Sequence, residues 1–183
     1  IMHDKPMHLI LVRRDLRYFD HIHPEQREPG VYSAPYTFLS AGEYRVWIDF
    51  MSKDMQHLID FDLKVTGNGV HTPEPDMLDG LQASFKGPER ILQGKPAELS
   101  FTVSDEQDKP VSLTEKFLAA AGHLVIIDAT QKEFVHAHYE VMNRDNVLTF
   151  EYTPQTVGKH RMWVQFNYRG KARTAPFDFL AHK

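Results

Sequence analysis

The chain has no cysteine among its 183 residues. That removes disulfides, thiolate metal sites and cysteine nucleophiles together, and it leaves the redox compartment open. Basic residues are outnumbered: 21 Lys and Arg stand against 25 Asp and Glu, for a net charge of -4 with the 11 histidines neutral. No basic stripe interrupts this balance, so nucleic acid is excluded as the expected partner. No apolar run approaches the roughly 20 residues that span a bilayer. Catalytic signatures are also missing: there is no G-x-S-x-G, no phosphate loop and no H-E-x-x-H. The stretch HIHPEQRE shares an H-x-H…E with cupins, but the glycines and the later histidine strand of that fold do not follow, so it is rejected. The opening IMHDKPMHL reads as the interior of a protein.

What the chain does have is apolar content of 42%, enough for a packed core, and histidine in a repeated pattern. HLILVRRDLRYFDHIHPE (His8 to Glu25) is matched by HLVIIDATQKEFVHAHYE (His123 to Glu140). His8, His21 and His23 meet His123, His136 and His138 at a constant offset of 115. After a one-residue insertion the offset becomes 116, which pairs Tyr36 with Tyr152, Gly42 with Gly158, Trp47 with Trp163 and Phe61 with Phe177. A repeat of this length signals two copies of one domain.

The repeated segments read as strands. HLILV and HLVII are rich in β-branched and aliphatic residues, and YRVWIDF and HRMWVQF alternate apolar with polar. Glu98 to Ser104 reads as a further strand ending in a turn. Only Ser112 to Gly122 has a helical pattern, with Ser112 as N-cap, Glu115 three residues on and a closing glycine. The expected fold is therefore all-β, two immunoglobulin-like β-sandwich domains in tandem, over residues 1–66 and 81–183 with a linker at 67–80. Leu81 to Ala121 supplies two or three strands before the second hairpin, whereas little precedes His8. The first domain is expected to lack its N-terminal strands within this chain. Missing strands or a second protein chain would cover the gap, because bare sheet edges and core are liabilities. A homodimer stays open. Trp47 and Trp163 are read as core residues of the sandwich, and His3, His71 and His182 as tail or linker residues.

The hairpin register decides where the histidines point. Opposed residues of an antiparallel pair have numbers that sum to a constant, and opposed residues share a face. A turn centred between Asp15 and Leu16 gives 31, which sets His8 opposite His23 and Ile10 opposite His21. A turn centred between Thr130 and Gln131 gives 261 and the same arrangement. Three imidazoles then converge on one side of each hairpin. Protonated they repel, and buried without partners they cost about 1–3 kcal/mol apiece. A divalent metal resolves both problems, and three histidine nitrogens with an open position suit zinc and copper(II).

Glu25 and Glu140 stand two residues beyond the last histidine, where each could be a fourth ligand or an acceptor for an imidazole N–H. Pro24 redirects the strand in the first copy, which makes Glu25 the weaker of the two. Met7, Met51, Met55 and His57 form a weaker, copper(I)-type candidate set in the first copy only, with ordinary packing as the competing reading. If one three-histidine site is distorted, the first is expected to be that one.

The segments GKPAELSFTVSDEQDKPVS, AAAGHLVIID, FVHAHYE, GKHRMWVQF and TAPFDF also carry a resemblance. They are similar to bacterial secreted or membrane-anchored proteins with YtkA-like and FixH-like immunoglobulin-like modules, through Asp105 to Val111, Gly122–His123, His136–His138 and Ala175–Phe177. Tyr139 departs from the proline that usually follows H-x-H. The resemblance implies an extracytoplasmic location, periplasmic or extracellular with a membrane anchor as one form, and an association with copper handling. Together these readings give a non-catalytic metal-binding protein, copper before zinc, for binding, buffering or delivery. The rival readings are a structural or interaction module with non-metal histidines, and a metalloenzyme using an open metal position.

Overall fold

The computed structural model describes residues 7–53, 55–67, 77–113, 115–116, 120–139 and 146–183. The chain divides into two compact units, Ile1–Pro75 and Asp76–Lys183. Among the described residues every regular element is a strand.

The first unit holds β1 (Met7–Arg13), β2 (Phe19–Ile22), β3 (Glu25–Glu28), β4 (Val31–Ser33), β5 (Gly42–Ser52) and β6 (Met55–Val65). β2, β1, β5 and β6 form one antiparallel sheet in that order, and β3 pairs with β4 as a separate ribbon. Strand alternation gives this sheet two faces. One carries His8, Ile10, Val12, Trp47 and Asp49, and the other carries Leu9, Leu11, Val46, Ile48 and Phe61.

The second unit holds β7 (Leu81–Lys86), β8 (Ile91–Leu92), β9 (Ala97–Asp105), β10 (Gly122–Asp128), β11 (Phe134–Tyr139), β12 (Val147–Tyr152), β13 (Gly158–Tyr168) and β14 (Lys171–His182). A five-stranded sheet, β11-β10-β13-β14-β8, faces a three-stranded sheet, β12-β9-β7. Leu124, Ile126, Met162 and Val164 from the first pack on Leu99, Phe101, Leu148 and Phe150 from the second, all of them buried. This is a β-sandwich of the immunoglobulin-like kind. The fold of the chain is all-β, with two such units in tandem. The described part of the first unit supplies the sheet that bears the histidine hairpin and has no counterpart of β7 or β9.

The pattern at Ser112 to Gly122 does not give a helix in the described residues. Ser112 and Leu113 belong to no regular element, Glu115 forms an isolated bridge with Asn167, and Gly122 opens β10. Tertiary contacts override the local capping pattern here: Leu113 is buried, and the Glu115 carboxylate accepts the Gly170 N–H at 2.7 Å. Residues 114 and 117–119 lie outside the described set. His182, read as a tail residue, instead closes β14 opposite Leu92.

Candidate metal centre

Both hairpins adopt the register that their turns dictate. β1 and β2 pair Leu9 with Ile22 and Ile10 with His21, and β10 and β11 pair His123 with His138 and Val125 with His136. In the first unit His8 Nδ1 lies 2.9 Å from His21 Nε2 and 3.1 Å from His23 Nε2. One nitrogen from each ring thus falls within 4.8 Å of the other two. In the second unit His123 Nδ1 lies 3.2 Å from His136 Nε2, and the His138 ring centroid is 4.5 Å from that of His123 and 4.6 Å from that of His136. The trio in the first unit, expected to be the distorted one, is complete.

The chemistry of this donor set can be read from the distances. A neutral imidazole carries one N–H and one lone pair, so His8 Nδ1 shares a proton with only one of its two neighbours at a time. A first-row cation bound at 2.0–2.1 Å takes a lone pair from all three and would space tetrahedral nitrogen ligands about 3.3 Å apart. The observed separations are a few tenths of an ångström shorter, so small ring rotations open the site. His8 and His123 are 3% and 0% exposed, which puts the donors in a low-dielectric setting where a bare charge is costly.

The turns that aim the hairpins are pinned differently in the two units. In the second, Asp128 accepts N–H bonds from Thr130 (2.9 Å), Lys132 (2.7 Å) and Glu133 (2.6 Å). Burial pushes the Asp128 carboxyl up, but these donors and the Thr130 hydroxyl outweigh it and hold the group below its ordinary range. Glu133 accepts from the Tyr152 hydroxyl at 2.7 Å, the Gln155 N–H at 3.0 Å, and the Thr156 N–H and hydroxyl at 2.8 and 2.6 Å, with His160 3.4 Å away. Burial again raises this carboxyl, and the Thr156, Gln155 and Tyr152 bonds bring it below its ordinary value. Burial and the facing Glu133 push the Tyr152 phenol far up.

The remaining candidates are not brought to either trio. Glu25 opens β3, is exposed, and pairs with Arg27 at 3.1 Å, because Pro24 ends the hairpin strand before it. Glu140 lies outside the described residues. Met7 alternates onto the face opposite His8, as a residue one position away must. Met51 stands opposite Gln56 while Met55 stands opposite Ser52, so the two thioethers point to opposite faces of the β5–β6 hairpin; His57 shares Met55's face and stacks on Phe50 at 5.1 Å. Met51 therefore leaves this set, while Met7, Met55 and His57 share the face opposite the trio, with Phe50 standing between Met7 and His57. Trp47 and Trp163 are buried, but on the histidine faces, opposite Ile10 and Val125, and Trp163 is no part of the sandwich core. Two residues beside the histidines escaped sequence reading. Asp49 stands opposite His8 on β5, and Gln165 stands opposite His123 on β13; both are buried. Their signal lies in the pairing of β1 with β5, a long-range register that no local pattern reveals.

This geometry belongs to a chain with the architecture of an immunoglobulin-like β-sandwich protein. It is a member of the family described as domain of unknown function DUF8832, whose model matches residues 1–67 and 76–183. No curated protein matches the chain. Among solved structures it is similar to the CARDB domain of a Pyrococcus furiosus protein, solved in complex with di-metal ions. That likeness has 18% identity and a TM-score of 0.31, over 56% of this chain and 87% of that one.

Proposed function

We propose that the protein binds a transition metal through one three-histidine site in each unit, copper in preference to zinc, and that it buffers or delivers the ion. The observation that carries this reading is the convergence of His21 Nε2 at 2.9 Å and His23 Nε2 at 3.1 Å on His8 Nδ1, with one nitrogen from each ring within 4.8 Å of the other two. The donor set is three neutral imidazoles with neither thiolate nor thioether. Such nitrogen sites favour copper(II) over zinc in the usual order of divalent affinities. With Met7 on the opposite face, the preference for copper rests on that order and on the resemblance to copper-handling modules. An extracytoplasmic setting, periplasmic or extracellular, rests on the same resemblance. The fourth position is left to solvent or to a recipient protein, which suits exchange better than a closed structural site.

Calorimetric titration with copper(II) and with zinc(II) tests the reading on three proteins: wild type, His21→Ala/His23→Ala and His136→Ala/His138→Ala. We expect about two ions per wild-type chain, about one per double variant, tighter binding of copper, and a raised unfolding midpoint when metal is present. No uptake by wild type, or the same stoichiometry in all three, leaves the histidines as a structural polar cluster.

A further inference from the structure

The two trios are built alike but are not charged alike. β5 lies on the side of β1 away from β2, so Asp49, opposite His8, flanks that imidazole from the side away from His21 and His23. The equivalent residue in the second unit is Gln165, opposite His123 on β13. Opposed residues of an antiparallel pair share a face, with Cβ atoms about 5 Å apart. A carboxylate therefore stands beside one trio and a neutral amide beside the other, and both are buried. Asp49 Oδ1 accepts from Gln56 Nε2 at 2.9 Å, a bond that brings no charge. Gln165 Nε2 donates to the Thr174 hydroxyl at 3.0 Å.

The neighbours on this face isolate the difference. Arg45 and Trp47 recur as Arg161 and Trp163, with each guanidinium 6.0 and 5.8 Å from its indole ring. Asp62 and Asp178 recur as acceptors for those guanidiniums, at 3.1 and 3.0 Å. Asp60, which has Pro176 as its counterpart, is paired with Arg45. Among the described residues beside the imidazoles, the contrast in charge falls on Asp49 and Gln165.

Building on the metal reading above, we propose that the two trios select ions of different valence. The first is a site for a divalent cation, and the second accepts a monovalent one, copper(I), at less penalty. Imidazole is a ligand for zinc and for copper alike, so the three donors do not decide between the ions. They are also neutral when they bind. With the Asp49 carboxylate alongside, a divalent ion leaves the first pocket with a single net positive charge. The second pocket reaches that state only with a monovalent ion. His8 and His123 are both buried, and burial makes each uncompensated charge costly. At an effective dielectric of about 20, a carboxylate one strand away is worth more than a factor of ten per ionic charge.

The test titrates zinc(II) and ascorbate-reduced copper(I), each against a chromophoric chelator, into two proteins. His136→Ala/His138→Ala keeps the first trio, and His21→Ala/His23→Ala keeps the second. Both ions have filled d shells, so ligand-field geometry drops out of the comparison. The first trio should favour zinc(II) over copper(I) at least about tenfold more than the second does. Asp49→Asn, added to the first protein, should move its ratio about tenfold toward copper(I). Gln165→Glu, added to the second, should move its ratio as far toward zinc(II). Both substitutions keep the length of the side chain, and either one decides if the other does not fold. Uptake with equal ratios in the two proteins, or ratios that the substitutions leave in place, overturns the proposal and leaves the metal reading standing. No uptake of either ion by either protein overturns both.

Discussion

Arg13 in the first unit stands where the second has Asp128, and the two residues fasten the same turn by opposite chemistry. Arg13 donates to Asp15 at 3.0 Å and to Ser40 at 2.8 Å, and Tyr18 bonds Tyr36. In the second unit the equivalents of Tyr18, Tyr36, Ser40 and Tyr44 are Glu133, Tyr152, Thr156 and His160, and the Glu133 carboxylate gathers the other three. Cation and phenols on one side, carboxylates on the other, deliver the same hairpin register and the same trio of imidazoles. The fastening has been rewritten while its product has stayed fixed. That product is the three-histidine face, and the difference shows which part of the repeat the rest serves.

Breaking one fastening at a time sharpens the contrast. Glu133→Ala removes the acceptor of two backbone N–H groups and two hydroxyls inside a buried pocket, and should cost about 3 kcal/mol by urea denaturation of the second unit's transition. Tyr18→Phe, at the equivalent position, removes one hydroxyl bond and should cost about 1 kcal/mol in the first. If the two costs are equal, the carboxylate is no hub.

The faces opposite the histidines give the next largest effect. Phe177→Ala should cost about 2 kcal/mol, since the ring packs on Phe85 and Phe101. Phe61→Ala, at the equivalent but exposed position, should cost less than about 0.5 kcal/mol. A large loss at Phe61 would mean that its face is already covered.

Beside the histidines the contrast is Asp49 against Gln165. A carboxylate next to a ligating imidazole raises its basicity. Asp49→Asn should therefore weaken metal binding in the first unit about tenfold, and Gln165→Asp should strengthen the second, read by competition with a chromophoric chelator. Opposite signs for the two swaps support the assignment; no change in either removes Asp49 from the site.

Acid supplies the smallest and most gradual test. Asp128 and Glu133 have folded values below their ordinary 3.8 and 4.5. Their contribution is complete above those ordinary values and is lost as pH falls through the lowered ones. The second unit should weaken below about pH 4.5, and tryptophan fluorescence of Trp47→Phe and Trp163→Phe variants reports which unit goes first. An earlier loss in the first unit would count against the carboxylate network.

Much of this was legible in the chain itself. The hairpin sums of 31 and 261 follow from turn position alone, and the observed pairs obey them. Strand parity also carried information about one neighbour: Met7 is one residue from His8, so its side chain points to the other face. The features that stayed hidden depend on distant partners. The capping pattern at Ser112 gave way to a bridge with Asn167, and Asp49 is placed beside His8 only once β1 and β5 are paired.

One detail of the turns has a wider consequence. Leu16 and Gln131, at equivalent positions, both take left-handed backbone, with φ of 61° and 56°. Each donates its N–H back across the turn, to Arg13 and Asp128. Side chains other than glycine resist this conformation, and both of these are buried, so the bend is held in place and fixes the hairpin's count. A strand read one residue out of step turns every side chain to its other surface. A single amino acid inserted after Asp15 or after Thr130 would therefore carry His21 and His23, or His136 and His138, out of step with their partner histidine while leaving every imidazole in the sequence. The convergence of the three imidazoles is written in the spacing of the turn as much as in the histidines themselves.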